Sequence, residues 1–192
     1  MNAYFDSIRK SRMLLAANPN DPIAHYNMGT VYSKLGLPEK ASEQFKRALA
    51  INPMNVQAWH NLGSAHMRLD RTGEAITAYR QALAIDETYE LAWNNLGNAY
   101  LLKGYLGQAK HAYGKVIELR PGYPDALHGL GNVALQEGSN QEALELYRAV
   151  LDSDTSYANA YYGMAMAYKG LGDSTSAAAK LRAFKSRHSV RR

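Results

Sequence analysis

The side chains that could act as reagents in this 192-residue sequence are few and scattered. His60 and Ser64 stand four residues apart, one helical turn, as a base and a nucleophile would. No acid is placed to orient the histidine, and no oxyanion donors accompany the pair. The stretch Gly129-x-Gly131-x-x-Ala134 has the letters of a dinucleotide-binding turn, but such a turn must follow a strand and open a helix. Here it lies inside a stretch with helical periodicity. The six histidines are dispersed, no HExxH appears, and cysteine is absent, so neither a structural zinc site nor a thiol nucleophile is expected. Catalysis, cofactors and metals are therefore not expected. The polar residues that do recur in step are amides: Asn27, Asn61 and Asn95, spaced by 34 residues. An amide offers an acceptor and a two-proton donor, so it can pair with the C=O and N–H of another main chain.

That spacing belongs to a larger period. His25-Tyr-Asn-Met-Gly29, Trp59-His-Asn-Leu-Gly63, Trp93-Asn-Asn-Leu-Gly97 and Leu127-His-Gly-Leu-Gly131 align at shifts of 34, with Tyr161-Tyr-Gly-Met-Ala165 as a weaker copy. Five units result without an insertion: 22–55, 56–89, 90–123, 124–157 and 158–191. Each reads as two amphipathic helices. In the first, large apolar residues such as Trp93, Leu96 and Tyr100 share one face. The eighth place is always small (Gly29, Gly63, Gly97, Gly131, Ala165), which suits a close approach of two helix backbones. In the second, Ala41, Ala75, Ala109, Ala143 and Ala177 precede Phe45, Tyr79, Tyr113, Tyr147 and Leu181 by one turn. Gly36, Asp70, Gly104, Gly138 and Gly172 mark left-handed turns between the helices. Thr72, Ser139 or Asn140, and Asp173 or Ser174 are expected to cap the second helices. Pro53 and Pro121 should stop them. Glu87 and Thr155 stand at that place in units two and four, where a less sharp end is expected.

This constellation resembles the tetratricopeptide repeat family. The resemblance implies an all-α, right-handed α-solenoid of five helix-turn-helix repeats, with residues 1–21 as an N-terminal capping helix or degenerate half-repeat. In that half-repeat Ile8, Leu14 and Leu15 fall at apolar places, while Ser7 and Ser11 stand where alanine and an aromatic belong. At the other end, the apolar pairs Leu49 and Ile51, Leu83 and Ile85, and Ile117 and Leu119 give way to Lys185 and Arg187. The last unit, 158–191, is thus expected to act as a cap with a basic tail.

The resemblance also implies a function: binding a protein or peptide, extended or as a partner helix, in a concave groove lined by the first helices. Transferred by place, the groove comprises Tyr26, His60, Asn94, His128 and Tyr162 at the fifth place. Asn27, Asn61 and Asn95 fill the sixth, and Thr30, Ser64, Asn98 and Asn132 the ninth. The three sixth-place asparagines are similar to the asparagine ladder of protein O-GlcNAc transferase, cut short here by Gly129 and Gly163. The two-carboxylate clamp of chaperone-binding repeats is missing its lysines and arginine, which disfavours the C-terminal peptide of an Hsp90 or Hsp70.

Composition limits the alternatives. With 46% hydrophobic and 20% charged residues a packed core is affordable and disorder is not expected. No apolar run approaches a membrane span, and Met13 to Ala17 is too short for a signal core, so a cytoplasmic protein is expected. The net charge of +5 is concentrated after Asp173, in Lys180, Arg182, Lys185, Arg187, Arg191 and Arg192. A near-neutral body with a basic helix end disfavours nucleic acid as the main partner. Self-association into a scaffold and recruitment to nucleic acid through the tail stand as alternatives.

Overall fold

The computed structural model describes residues 2–189, with side chains described from 4 to 187. Among these the chain is α-helical without strands. A single helix, α1 (Asn2–Ala17), precedes five helix-turn-helix pairs: α2 (Pro22–Lys34) with α3 (Pro38–Ile51), α4 (Val56–Arg68) with α5 (Thr72–Ile85), α6 (Glu90–Leu102) with α7 (Leu106–Leu119), α8 (Pro124–Gln136) with α9 (Asn140–Ser153), and α10 (Ala158–Gly170) with α11 (Ser174–Ser189). This is the architecture of an α-solenoid. Two compact units, residues 1–99 and 100–192, divide it within α6. None of the described helices is long and apolar enough to cross a membrane.

The turn inside each pair is the same device five times. Gly36, Asp70, Gly104, Gly138 and Gly172 all have positive φ, Asp70 at 57°. The following N–H then reaches back five residues, as Leu37 N–H does to Tyr32 O (2.9 Å) and Arg71 N–H to His66 O (2.9 Å). This closes the helix in a Schellman turn, and Asp is one of the few side chains tolerated at its left-handed corner.

Capping and termination differ from expectation. Of the residues expected to cap second helices only Asp173 does, accepting from Ser176 N–H at 3.0 Å. Thr72 is already the first residue of α5, the N-cap position falls on Arg71, and no side-chain cap bond is made there. Ser139 precedes α9 without bonding its N–H groups. The ends of α5 and α9 are as sharp as that of α3, although Glu87 and Thr155 replace proline. Asp86 and Asp154 do the stopping: each accepts a backbone N–H two residues on, from Thr88 at 2.9 Å and from Ser156 at 2.8 Å. The same side-chain turn stands beside Pro53 at the end of α3, where Asn52 Oδ1 accepts from Met54 N–H at 3.2 Å, so the stop does not need the proline.

The core is built on an aromatic ring laid against a glycine. A Cβ placed on Gly29 would stand 2.6 Å from the Phe45 ring, on Gly63 2.5 Å from Tyr79, and on Gly131 2.6 Å from Tyr147. The eighth-place glycine therefore makes room for a side chain of the second helix, not for a neighbouring backbone. Phe45, Tyr79, Tyr113 and Tyr147 are all fully buried. In α1, which has no partner first helix among the described residues, Ser11 occupies the aromatic place and is buried without a ring to fit. Around these rings lie Ala41, Leu49, Ala58 and Leu62 in the first unit and Leu144, Val150, Ala160 and Met164 in the second.

A second recurring bond pins the start of the first three pairs. The indole N–H of Trp59 donates to Pro53 O and that of Trp93 to Glu87 O, both at 2.8 Å. His25 takes the tryptophan's place and its Nε2–H donates to Pro19 O at 3.2 Å. A ring N–H six residues after a carbonyl is thus preserved although the residue type changes.

Of the two late apolar places in the second helix, Leu49 and Leu83 are buried, whereas Ile51 and Leu119 are about 40% exposed. In α11 Lys185 is exposed and Arg187 folds back, its guanidinium 4.1 Å from the centre of the Tyr161 ring. Arg191 and Arg192 of the basic tail lie outside the described residues.

Candidate functional site

Residues four, three and four apart stack along one side of an α-helix. In α2 that stripe is Ile23, Asn27, Thr30 and Lys34; in α4 it is Gln57, Asn61, Ser64 and Arg68; in α6, within the first unit, it is Leu91, Asn95 and Asn98. The stripes are joined side by side. Arg68 Nη1–H donates to Ser33 O at the end of α2 (2.7 Å), and Asn61 Nδ2–H donates to the Tyr26 hydroxyl (3.3 Å). From α6, Asn95 Nδ2–H donates to His60 Nε2 at 2.9 Å.

The last bond fixes a proton. His60 Nε2 is an acceptor, so the neutral ring carries its hydrogen on Nδ1, which donates to Asn61 Oδ1 at 3.3 Å. One chain of hydrogen bonds then runs Asn95, His60, Asn61, Tyr26 across three helices. Burial lowers the His60 pKa from its ordinary 6.5, and the Asn61 hydrogen bond only partly opposes this. The ring is held neutral between Tyr79, with centroids 5.8 Å apart, and Tyr89, edge-on at 5.3 Å. Asn61 spends one donor and one acceptor in this chain and keeps one of each.

The structure sorts the expected residues. Asn27 is exposed, while Asn61 and Asn95 are half-buried, and all three lie on the stripe. Thr30 and Ser64 also lie on it, but their hydroxyls donate to carbonyls of their own helix, Tyr26 O at 3.0 Å and His60 O at 3.1 Å. Ser64 Oγ thus bonds the backbone of His60 and not its ring. Tyr26 and His60 form the inner wall. Asn94, at the same place, is buried, and its Oδ1 has no hydrogen-bond partner. It is an interior amide, unlike exposed Asn98.

In the second unit the same places are used differently. Asn132 Nδ2–H donates to His128 Nδ1 at 3.4 Å and Asn132 Oδ1 accepts from the Tyr147 hydroxyl at 2.7 Å. His128 lies between Tyr147 and Tyr157, and burial lowers its pKa against the opposing pull of Asp125 and the Asn159 backbone. Tyr162 is nearly half exposed, its ring centroid 5.4 Å from that of Phe184. Gly129 and Gly163 interrupt the amide row because the rings of Tyr113 and Tyr147 fill the space a Cβ would need. The glycines that mimic a nucleotide-binding turn are seats for tyrosines inside α8.

Several residues of the stripe, Leu91 apart, escaped the sequence reading. Ile23 and Leu91 expose 66% and 46% of their surface at its start, and Lys34 and Arg68 close it at the other end. Tyr89 and Tyr157 pack on the two histidines. Their recurrence with Tyr123 at the last place of units two to four was a readable signal.

No curated protein matches the sequence. Among solved structures, MamA shares 24% identity over 85% of this chain and 96% of its own, with a TM-score of 0.76. PilW, described as a widely conserved type IV pilus biogenesis factor, shares 24% over 92% and 82%, with a TM-score of 0.81. YrrB, described as a TPR protein with an unusual peptide-binding site, shares 20% over 92% and 91%, with a TM-score of 0.74. At such identities the likeness concerns the fold. Family models described as tetratricopeptide repeat match residues 26–90 and 94–158, and a further one matches 159–189. The matched segments take in most of the helices from α2 onward, and the chain belongs to the tetratricopeptide repeat family.

Proposed function

We propose that this chain is a non-catalytic adaptor that binds another protein, holding an extended peptide or a partner helix on the face formed by α2, α4 and α6. The observation that carries the reading is the hydrogen-bonded row Tyr26, Asn61, His60 and Asn95. Each amide is held in place by a neighbour yet retains bonding capacity, so a ligand meets groups already oriented and the ordering cost of binding falls. The amides address a main chain and not particular side chains. Asn27, exposed at the same place of α2, extends the row by one helix.

The same reading divides the chain into a capping segment, 1–21, and five repeats over 22–191, the last closing the array. Its support is the exposed charge of Lys185 at the place where Leu49 and Leu83 are buried. A further repeat would have to cover that ammonium without a partner.

The test is capture of partners from the cells of origin with the wild-type chain and with the Asn27→Ala/Asn61→Ala/Asn95→Ala variant, both first shown equally helical. A protein held by the wild type and released by the variant is the expected result. An identical set of captured proteins would sink the proposed site.

A further inference from the structure

The stripe that carries the amides is electrically one-sided. Along α2, α4 and the part of α6 up to residue 98, the second, fifth, sixth, ninth and thirteenth places hold no Asp or Glu. They hold two cations, Lys34 and Arg68, both at the same end. Lys34 has no ion-pair partner among the described residues. Arg68 caps a carbonyl of α2 and likewise has no carboxylate within ion-pair distance. The acids near this face are elsewhere: Asp21 is spent on the N-terminus of α2, Asp86, Glu87 and Glu90 lie at the start of α6, and Asp70 sits in the turn beyond Arg68. The opposite end of the stripe is uncharged, with Ile23 and Leu91 exposed on either side of Gln57.

We infer that the segment bound on this face is acidic as well as extended, with its main chain on Asn27, Asn61 and Asn95 and carboxylate side chains on Lys34 and Arg68. The inference rests on the proposed peptide-binding reading. It differs from the chaperone clamp, because both cations stand at the thirteenth place and address side-chain carboxylates. Seven residues of helix separate the amide row from the cations, about 10 Å. Opposed Lys and Glu side chains bridge that gap. Helices packed about 10 Å apart meet an extended chain that advances about 3.3 Å per residue, so the carboxylates should recur roughly two to four residues apart. Apolar side chains on the other edge of the same strand would meet Ile23 and Leu91, because successive side chains alternate.

The probe is a library of short linear peptides randomised at every position, selected on the immobilised full chain at low salt and read by sequencing. Asp and Glu should be enriched over Lys and Arg by about five-fold, the order expected of two exposed ion pairs. Lys34→Glu combined with Arg68→Glu should reverse the bias. Lys34→Glu alone, which breaks no internal bond, should abolish most of it, and Arg80→Glu on α5 should leave it unchanged. Binders that depend on the three asparagines but show no acidic bias would overturn this inference and leave the peptide-binding reading standing. Binders indifferent to the asparagines, or no binders, would overturn both.

Discussion

At the scale of single residues, the meaning of a glycine depends on what lies beside it. Gly63 sits in the interior of α4, where glycine costs about 1 kcal/mol relative to alanine. Yet a Cβ there would stand 2.5 Å from Tyr79, a fully buried ring that cannot move aside. Gly114 sits in the interior of α7, and a Cβ on it would meet nothing within 4 Å. The same substitution should therefore have opposite signs. Gly63→Ala should destabilise by about 1–3 kcal/mol through overpacking, and Gly114→Ala should stabilise by up to about 1 kcal/mol through helix propensity. Urea unfolding of the two variants beside the wild type measures both, and equal signs would contradict the ring-on-glycine account. The same reasoning explains why the amide row ends at Gly129 and Gly163: a tyrosine ring occupies the side-chain space.

At the scale of elements, helix periodicity and turns were legible because each depends on nearby residues. Five left-handed corners could be read from four glycines and Asp70, since few side chains tolerate that backbone. Helix ends were less legible because the side-chain turn that closes them is accompanied by proline at one end and not at others. Pro53 is conspicuous in the sequence, but Asn52 beside it already accepts from Met54 N–H, and at the end of α5 the Asp86 carboxylate accepts from both the N–H and the hydroxyl of Thr88 with no proline following. Asp86→Ala should thus cost about 0.5–1.5 kcal/mol and lower the protection of amides in the last turn of α5 against hydrogen exchange. Adding Glu87→Pro should recover part of the loss, because Asp86 already has the extended backbone (φ −139°, ψ 98°) that a following proline requires. A double variant no better than the single would show that the side-chain turn and the proline are not interchangeable. The site was only half legible for a related reason. Asn27, Asn61 and Asn95 announce themselves by recurrence, whereas Lys34 and Arg68 matter through the missing carboxylates around them, which requires knowing which residues share a face.

At the scale of the whole molecule, stability in a repeat protein is approximately a sum over units and their neighbours, so buried titrating groups along the chain should add. His60 and His66 in residues 1–99 and His128 in residues 100–192 all have pKa values lowered by burial from the ordinary 6.5. For His66 the carboxylate of Glu74, 2.9 Å away, opposes the shift without cancelling it. A lowered histidine pKa means that the unfolded chain takes up protons first as pH falls. Well above pH 6.5 all three are neutral in both states and the contribution to stability is complete. Below that it declines until the pH reaches the folded-state value. Apparent thermal midpoints should be level above about pH 7 and fall between about pH 6.5 and 5, before most carboxylates titrate. Replacing His60 and His128 by glutamine, which keeps a hydrogen-bonding side chain but cannot take up a proton, should flatten that fall. A double variant as steep as the wild type would place the titrating groups elsewhere. Peptide binding on the first unit should weaken only at still lower pH, once the folded ring is itself protonated, because His60 can then no longer accept from Asn95 and the amide must turn.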